Sequence, residues 1–584
     1  MAMIRKGRRV VEPLGLGGEG LLPNLYDLAI FVLIAGGFVL IAHGAHEMAA
    51  PAVRLASEPV TLDPANLPEY ALRTTLRMLA ALVASLVFTL VYGTLAAKSR
   101  RAELVLVPIL DILQSVPVLS YISFTVVFFM ALFPGKVAGA ELAAIFAIFT
   151  SQAWNMTFSF YQSLRTVPHD LDEASRGFRF SAWQRFWRLE VPFAMPGLIW
   201  NMMMSMSGGW FFVVAVEAVT VGDTTITLPG IGAYLAKAID ARDLHAVGWT
   251  ILAMTVVIML YDQLMFRPLV AWADKFRFEM TAAQAAPESW FLDMMRRARL
   301  VQKAGAPIGW LLRAFVRLRL PLPQGKAQSN TRRTLMSKII DLVWYAVVAV
   351  TTIYVAWRII DFIDAELGWG DLLEVLTLGF YTLIRVVILI IVATVVWVPI
   401  GVMVGLRPKL AERVQPIAQF LAAFPSNLLF PVAVMGILYY HLNPDIWLSP
   451  LIILGTQWYI LFNVVAGATT YPNELREAAA NFKIRGWQWW RQAMLPGIFP
   501  YYVTGAITAS GGAWNASIVA EIVKWGPDTV KAHGLGAYIT ETTTAADYPK
   551  IVLGVAVMSF FVIVFNRTVW RPLYTYAERR LRLD

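Results

Sequence analysis

Two arginines and two glutamates lie inside long apolar runs of this chain, and they form a matched set. Arg77 and Arg385 are separated by 308 residues (385 − 77), and Glu217 and Glu521 by 304 (521 − 217). An ionisable side chain in an apolar run is costly unless it faces a polar cavity or a partner. Two chemistries fit. Planar guanidinium groups can attract an oxyanion to a pathway, or each Arg can pair with a Glu and hold helices together. Asn201 and Asn515 are further candidates for lining a channel, with Asp111, Gln114, Asn155, Gln457 and Asn463 beside them. The same residue types also bind transmembrane helices to one another. No nucleophile triad, metal-ligand cluster or G-x-x-x-x-G-K-[ST] phosphate loop occurs in the chain. The six histidines are scattered, and the absence of cysteine excludes disulfides and thiolate metal sites. The side chains offer pairing and binding chemistry, and no catalytic centre.

The elements that must carry these residues are membrane spans. Of 584 residues, 58% are hydrophobic and only 15% charged, so the chain lies outside soluble composition. A helix needs about 20 mostly apolar residues to cross the hydrocarbon layer. Such runs fall at 26–44, 74–97, 104–132, 138–161, 195–221 and 246–270 in the first half. In the second they fall at 337–363, 374–406, 414–440, 447–469, 500–523 and 549–573. Prolines 108, 117, 416, 425 and 431 predict kinks or breaks. The net charge of +10 raises the question of nucleic acid, but the cations punctuate apolar runs instead of forming a patch, which argues against it. With Arg5, Lys6, Arg8 and Arg9 placed inside, twelve spans put the basic clusters on the inner side at nearly every turn. Both termini are then cytoplasmic, and the first apolar run is read as retained, because no small-residue cleavage site follows it.

The two halves are one unit written twice. Pro168 and Pro472, Trp183 and Trp487, Pro192 and Pro496, and Gly222 and Gly526 keep the interval of 304. Earlier, Pro108 with Pro416 and Pro117 with Pro425 keep 308. The expected architecture is all-α and integral to the membrane, with six-helix halves at 1–273 and 337–584 and about twelve spans in all. A pseudo-two-fold along the membrane normal would relate the halves, with the path between them. A basic linker at 274–336 joins them, and two amphipathic stretches in it, Trp290–Gln302 and Trp310–Leu320, suit an anionic membrane surface.

Between the fourth and fifth spans of each half lies a polar loop, at about 162–196 and 470–500. Each has Pro followed by acids, which suits a helix start. A second short helix is expected around Trp183 or Trp487, ended by Pro192 or Pro496. Such a paired helix–turn–helix is shaped to enter a partner's groove. These loops resemble the EAA signature of ATP-binding-cassette (ABC) importer permeases. Glu173-Ala174-Ser175 with Pro192 and Glu477-Ala478-Ala479 with Pro496 carry the resemblance. Arg179 and Lys483 stand where the family has glycine. The surrounding Trp183–Arg188 and Val191–Pro196 segments resemble the nitrate, sulfonate and taurine branch, in a tandem-fused form.

That resemblance implies a type I importer fold. Glu173, Ala174, Arg179 and Trp183 in one loop, and Glu477, Ala478, Lys483 and Trp487 in the other, would couple to two copies of a cytoplasmic ATPase. ATP and magnesium would bind that partner, and this chain would hold no cofactor. A periplasmic or lipid-anchored binding protein would deliver a small anion, and the chain would sit in the bacterial inner membrane. The rival reading is an ion-coupled secondary transporter with an internal repeat, in which Glu217 and Glu521 would carry the coupling ion.

Overall fold

The computed structural model describes residues 60–221, 224–276, 289–318, 335–364 and 366–580, with scattered positions between 27 and 42. The chain is an all-α integral membrane protein built from two homologous halves. Unbroken apolar helices long enough to span occur at Pro64–Lys98, Val137–Arg165, Ala182–Val216 and Leu244–Phe276 in the first half. The second half has them at Leu342–Asp364, Trp369–Gly405 and Tyr548–Ala577. Two further pairs, Pro416–Ala423 with Ser426–Tyr439 and Pro444–Leu454 with Trp458–Thr469, bend by 77° and 45°. Among the described residues this gives seven spans, or nine with each bent pair taken as one.

The expected twelve is therefore not reached, for identifiable reasons. The run 26–44 lies mostly outside the described residues. The run 104–132 is broken: Arg100–Ser115 stops before Pro117, a 3-10 turn covers Val118–Tyr121, and only Ile122–Leu132 continues. Proline lacks an N–H and disfavours the helical conformation in the residue before it, so Pro117 and Pro425 each end a helix. Leu495–Ala520 is helical throughout, yet Thr504, Thr508, Ser510 and Asn515 dilute its apolar character.

Prolines 192 and 496 behave differently from expectation. They do not stop the short helices before them; Ala182–Val216 runs on as one rod. Each follows a five-residue π-helical turn, Phe186–Glu190 and Trp490–Met494. Pro268 and Pro572 likewise follow π-turns at Asp262–Phe266 and Asn566–Trp570. Proline in a helix clashes with the carbonyl four residues back and donates no hydrogen bond. A widened i→i+5 turn moves that carbonyl aside, so the rod continues.

Among the described residues two small two-stranded sheets accompany the helices. At the end of the bundle opposite the polar loops, Ala218–Val221 pairs antiparallel with Thr224–Thr227, and Ile522–Trp525 with Asp528–Lys531. The linker forms two helices, Trp290–Arg297 and Arg299–Arg317, broken at Ala298, whose backbone is extended. The second therefore starts eleven residues before the expected Trp310.

Candidate functional site

Each polar loop opens with a nine-residue helix, His169–Gly177 in the first half and Asn473–Asn481 in the second. Pro168 and Pro472 are their N-cap residues, and Asp170, Asp172 and Glu474 occupy the first turns, where acids meet the positive end of the helix dipole. Both helices end alike. Arg179 and Lys483 adopt left-handed φ of 56° and 54°. Phe180 N donates to Ser175 O and Arg179 N to Arg176 O, while Ile484 N donates to Ala479 O and Lys483 N to Ala480 O. This is the αL closure that glycine usually makes. The family glycine position thus keeps its geometry here with a cation. Glu173, Ala174, Arg179, Glu477 and Lys483 are exposed, and Ala478 is half-buried. Phe178 and Phe482, on the same helix ends, are 75% and 79% exposed.

The two loops are held differently. In the first, Lys98 Nζ lies 2.6 Å from Glu190 and over the Phe186 ring, and Arg185 reaches Asp172 at 3.3 Å. Ser181 and Gln184 form a reciprocal capping box. In the second, the matched residues are Leu406, Arg476, Arg485, Gln488, Trp489 and Met494, none of which can repeat those ion pairs. Among the described residues the linker helix Arg299–Arg317 covers the first loop and not the second. Trp183 Nε1 donates to Phe315 O at 2.8 Å, Gln184 Nε2 donates to Arg317 O at 3.1 Å, and the Trp183 and Phe315 rings lie 4.9 Å apart. Trp487, the counterpart of Trp183, is 73% exposed.

The matched arginines and glutamates meet within each half. Arg77 is buried; its Nε and Nη2 donate to Glu141 at 2.6 and 2.7 Å, and its Nη1 donates to Glu217 at 2.6 Å. Glu217 also accepts from Thr74 Oγ1 and Gly232 N, both at 2.7 Å. In the second half Arg385 donates to Asp445 at 2.7 Å and Glu521 at 3.1 Å, and Glu521 accepts from Thr382 Oγ1 and Gly536 N. A Cβ on Gly230 or Gly534 would collide with the Glu217 or Glu521 carboxyl group, so only glycine lets the backbone approach. Glu141 and Asp445 completed the nodes unannounced by the sequence reading, although they keep the interval of 304 (445 − 141). Their different residue types hid the match.

The halves touch through polar groups as well. Val118 N, in the break of the first half, donates to Asn515 Oδ1 of the second at 2.7 Å. Asn427 Nδ2, in the corresponding break of the second half, donates to Phe211 O of the first at 3.1 Å. At the hairpin end, Gly526 N donates to Ile239 O at 2.9 Å, and Arg242 pairs with Asp528. A cavity of about 290 Å³ lies between the halves, lined by Met203, Ser207 and Trp210 on one side and Pro416, Gln419 and Phe420 on the other. Asn201 donates to Ser159 Oγ and Gly197 O within the first half, and Asn515 Nδ2 donates to Gly511 O. Gln114 donates to Asn155, Trp397 donates to Gln457, and Asn463 donates to Tyr459 O. The side chain of Asp111 lies outside the described residues.

Paired loops with matching ends, ion nodes repeated in each half and polar contacts between the halves define a two-fold membrane transport component. The chain belongs to the family described as the binding-protein-dependent transport system inner membrane component, whose model matches residues 89–267 and again 397–583. It is therefore a tandem-fused permease, a transport component and not a catalyst. It is 26% identical over 178 residues to the bicarbonate transport system permease protein CmpB of Synechococcus elongatus, covering 30% of this chain and 61% of that one. It is 23% identical over 190 residues to the nitrate import permease protein NrtB of Synechocystis sp., covering 32% and 66%. It is 27% identical over 194 residues to the glycine betaine/proline betaine transport system permease protein ProW of Escherichia coli, covering 33% and 51%. The chain thus matches about half to two thirds of the length of these relatives.

Proposed function

We propose that this chain forms the path of an ATP-driven uptake system for a small anion. Its two loop helices couple to two copies of a separate cytoplasmic ATPase, and a binding protein delivers substrate at the hairpin end. The observation that carries the reading is the pair of loop helices. Both end in the same αL closure, and both carry an exposed phenylalanine, Phe178 or Phe482, and an exposed glutamate, Glu173 or Glu477. A bare aromatic on a short polar helix is what a groove in a partner takes as an anchor. The loops would then face the cytoplasm, in the bacterial inner membrane, with both termini on the same side.

The path would run between the helices Val191–Val216 and Leu495–Ala520. On the second, Tyr501, Thr504, Thr508 and Gly511 are exposed and Asn515 is half-buried, a three- or four-residue spacing that makes one polar stripe. The matched positions on the first are Gly197, Trp200, Met204, Ser207 and Phe211. Hydroxyls and one amide would offer an anion hydrogen bonds without a fixed charge. Arg77 and Arg385 are each paired with two acids of their own half, so we assign them to holding each half rigid instead of attracting substrate. Selectivity then rests mainly with the binding protein, and the nitrate and bicarbonate relatives favour an inorganic anion. Closure of the ATPase pair on ATP would draw the loops together and rock the halves from inward-facing to outward-facing.

ATP-dependent uptake of nitrate or bicarbonate, in vesicles holding this chain with its ATPase and binding protein, tests the reading. Glu173→Ala combined with Glu477→Ala should abolish uptake and lose the ATPase while the chain still inserts. Uptake that follows a proton or sodium gradient without ATP would instead support the secondary-transporter reading.

A further inference from the structure

The linker helix Arg299–Arg317 is fastened at the border where the spans emerge. Trp183 and Gln184, at the start of the span Ala182–Val216, hold its C-terminal turn. The preceding helix is held by Trp290 Nε1, which donates to Gln263 Oε1 at 3.2 Å, past the middle of the helix Leu244–Phe276. The strap therefore packs on the first half, with its C-terminal turn at the loop-bearing end. Phe315 turns inward to Trp183 and Trp187. Leu311 and Leu312, one turn earlier on the same face as Phe315, and the neighbouring Trp310 are 59%, 60% and 64% exposed, although none belongs to a span. Arg313 and Arg317 are exposed on the same helix, with Arg296 and Arg297 on the one before. The strap also lies between the two stretches that match the family, 89–267 and 397–583.

We propose that this helix is a membrane-surface element: Leu311 and Leu312 enter the headgroup boundary of anionic lipid, and the arginines meet its phosphates. Exposed apolar side chains at the level of the span ends, interleaved with cations, match an interfacial amphipathic helix. Each cation near an anionic surface adds to its attraction. Because the same helix grips Trp183, the lipid surface braces the first loop and leaves the second free. The bracing concerns the loop's anchorage, so it holds whether or not an ATPase docks there.

The chain has no cysteine, which makes single-site labelling of the full protein clean. Leu311→Cys, Leu312→Cys and Arg313→Cys, each spin-labelled, would be reconstituted without partner chains in phosphatidylglycerol–phosphatidylcholine vesicles and in pure phosphatidylcholine. In the anionic vesicles, labels at 311 and 312 should collide with oxygen in preference to a water-soluble nickel chelate, and the label at 313 should do the reverse. Arg313→Gln with Arg317→Gln should weaken the immersion by about fivefold per charge removed. Amide exchange over 169–177 should be slower in anionic than in neutral vesicles, while exchange over 473–481 should not change. Labels at 311 and 312 that meet the nickel chelate freely, and are shielded only when the ATPase is added, would overturn the proposal and give this face to a protein partner. Equal immersion in neutral lipid would overturn the role of charge.

Discussion

The two loops share a backbone and differ in what holds it. Both begin at a proline N-cap and end at an αL cation, Arg179 or Lys483. The first is then tied down by Lys98–Glu190, by Arg185–Asp172, by a capping box and by the linker helix over Trp183. The second rests on aromatic packing, with the Trp489 and Trp490 rings 5.5 Å apart and Trp487 bare. Duplication preserved the backbone shape of the loop, while the surroundings of each copy diverged. Among the described residues one loop is tied by ion pairs and the linker helix, and the other has neither.

The same contrast runs through the ion nodes, where it gives the largest expected effect. Arg77 is nearly sealed between Glu141 and Glu217, whereas Asp445, the partner of Arg385, is 37% exposed. Removing one member of a buried pair strands the other without solvent. Arg77→Ala should therefore cost about 3–5 kcal/mol, and Arg385→Ala about 1–3 kcal/mol, because water can reach Asp445, one of its two partners, while Glu521 is left buried. Thermal unfolding of the two variants in detergent checks the order. Equal losses would erase the distinction between the halves.

A smaller effect separates the loops themselves. Lys98→Ala leaves Glu190 partly buried and should loosen the first loop by about 1–2 kcal/mol, read as faster amide exchange over residues 169–190. Leu406→Ala, at the matched position, removes no ion pair and should leave exchange over 473–494 almost unchanged. The smallest effect concerns the αL positions. Arg179→Gly and Lys483→Gly should each relieve about 1 kcal/mol of left-handed strain and raise the melting temperature slightly. A fall in uptake despite that gain would show that the two cations touch the partner. Uptake unchanged would assign them to the turn alone.

Much of the architecture was legible because it is periodic or repeated. Apolar runs marked most spans, and the intervals of 304 and 308 exposed the duplication. The Pro–acid start and the Glu-Ala pair located the loop helices to within a few residues. What stayed hidden depended on neighbours distant in sequence. Nothing local announces that Phe315 lies on Trp183, 132 residues away. Pro192 and Pro496 were read as stops, because proline in isolation breaks a helix and only the widened turn before each shows how it is carried through. Glu141 and Asp445 were missed because a repeat search by identity passes over Glu paired with Asp. Arg77 and Glu217 were visible as a matched set, but only coordinates show that each is spent on the other.

The most direct test of the coupling reading is a distance between the loops. With no native cysteine, Glu173→Cys and Glu477→Cys can be spin-labelled in one chain and measured by pulsed resonance, with the ATPase bound, before and after ATP is trapped. The account predicts that the distance shortens on trapping and that most of the movement belongs to residue 477, on the unbraced loop. A distance that stays fixed while ATP-driven uptake proceeds would contradict it.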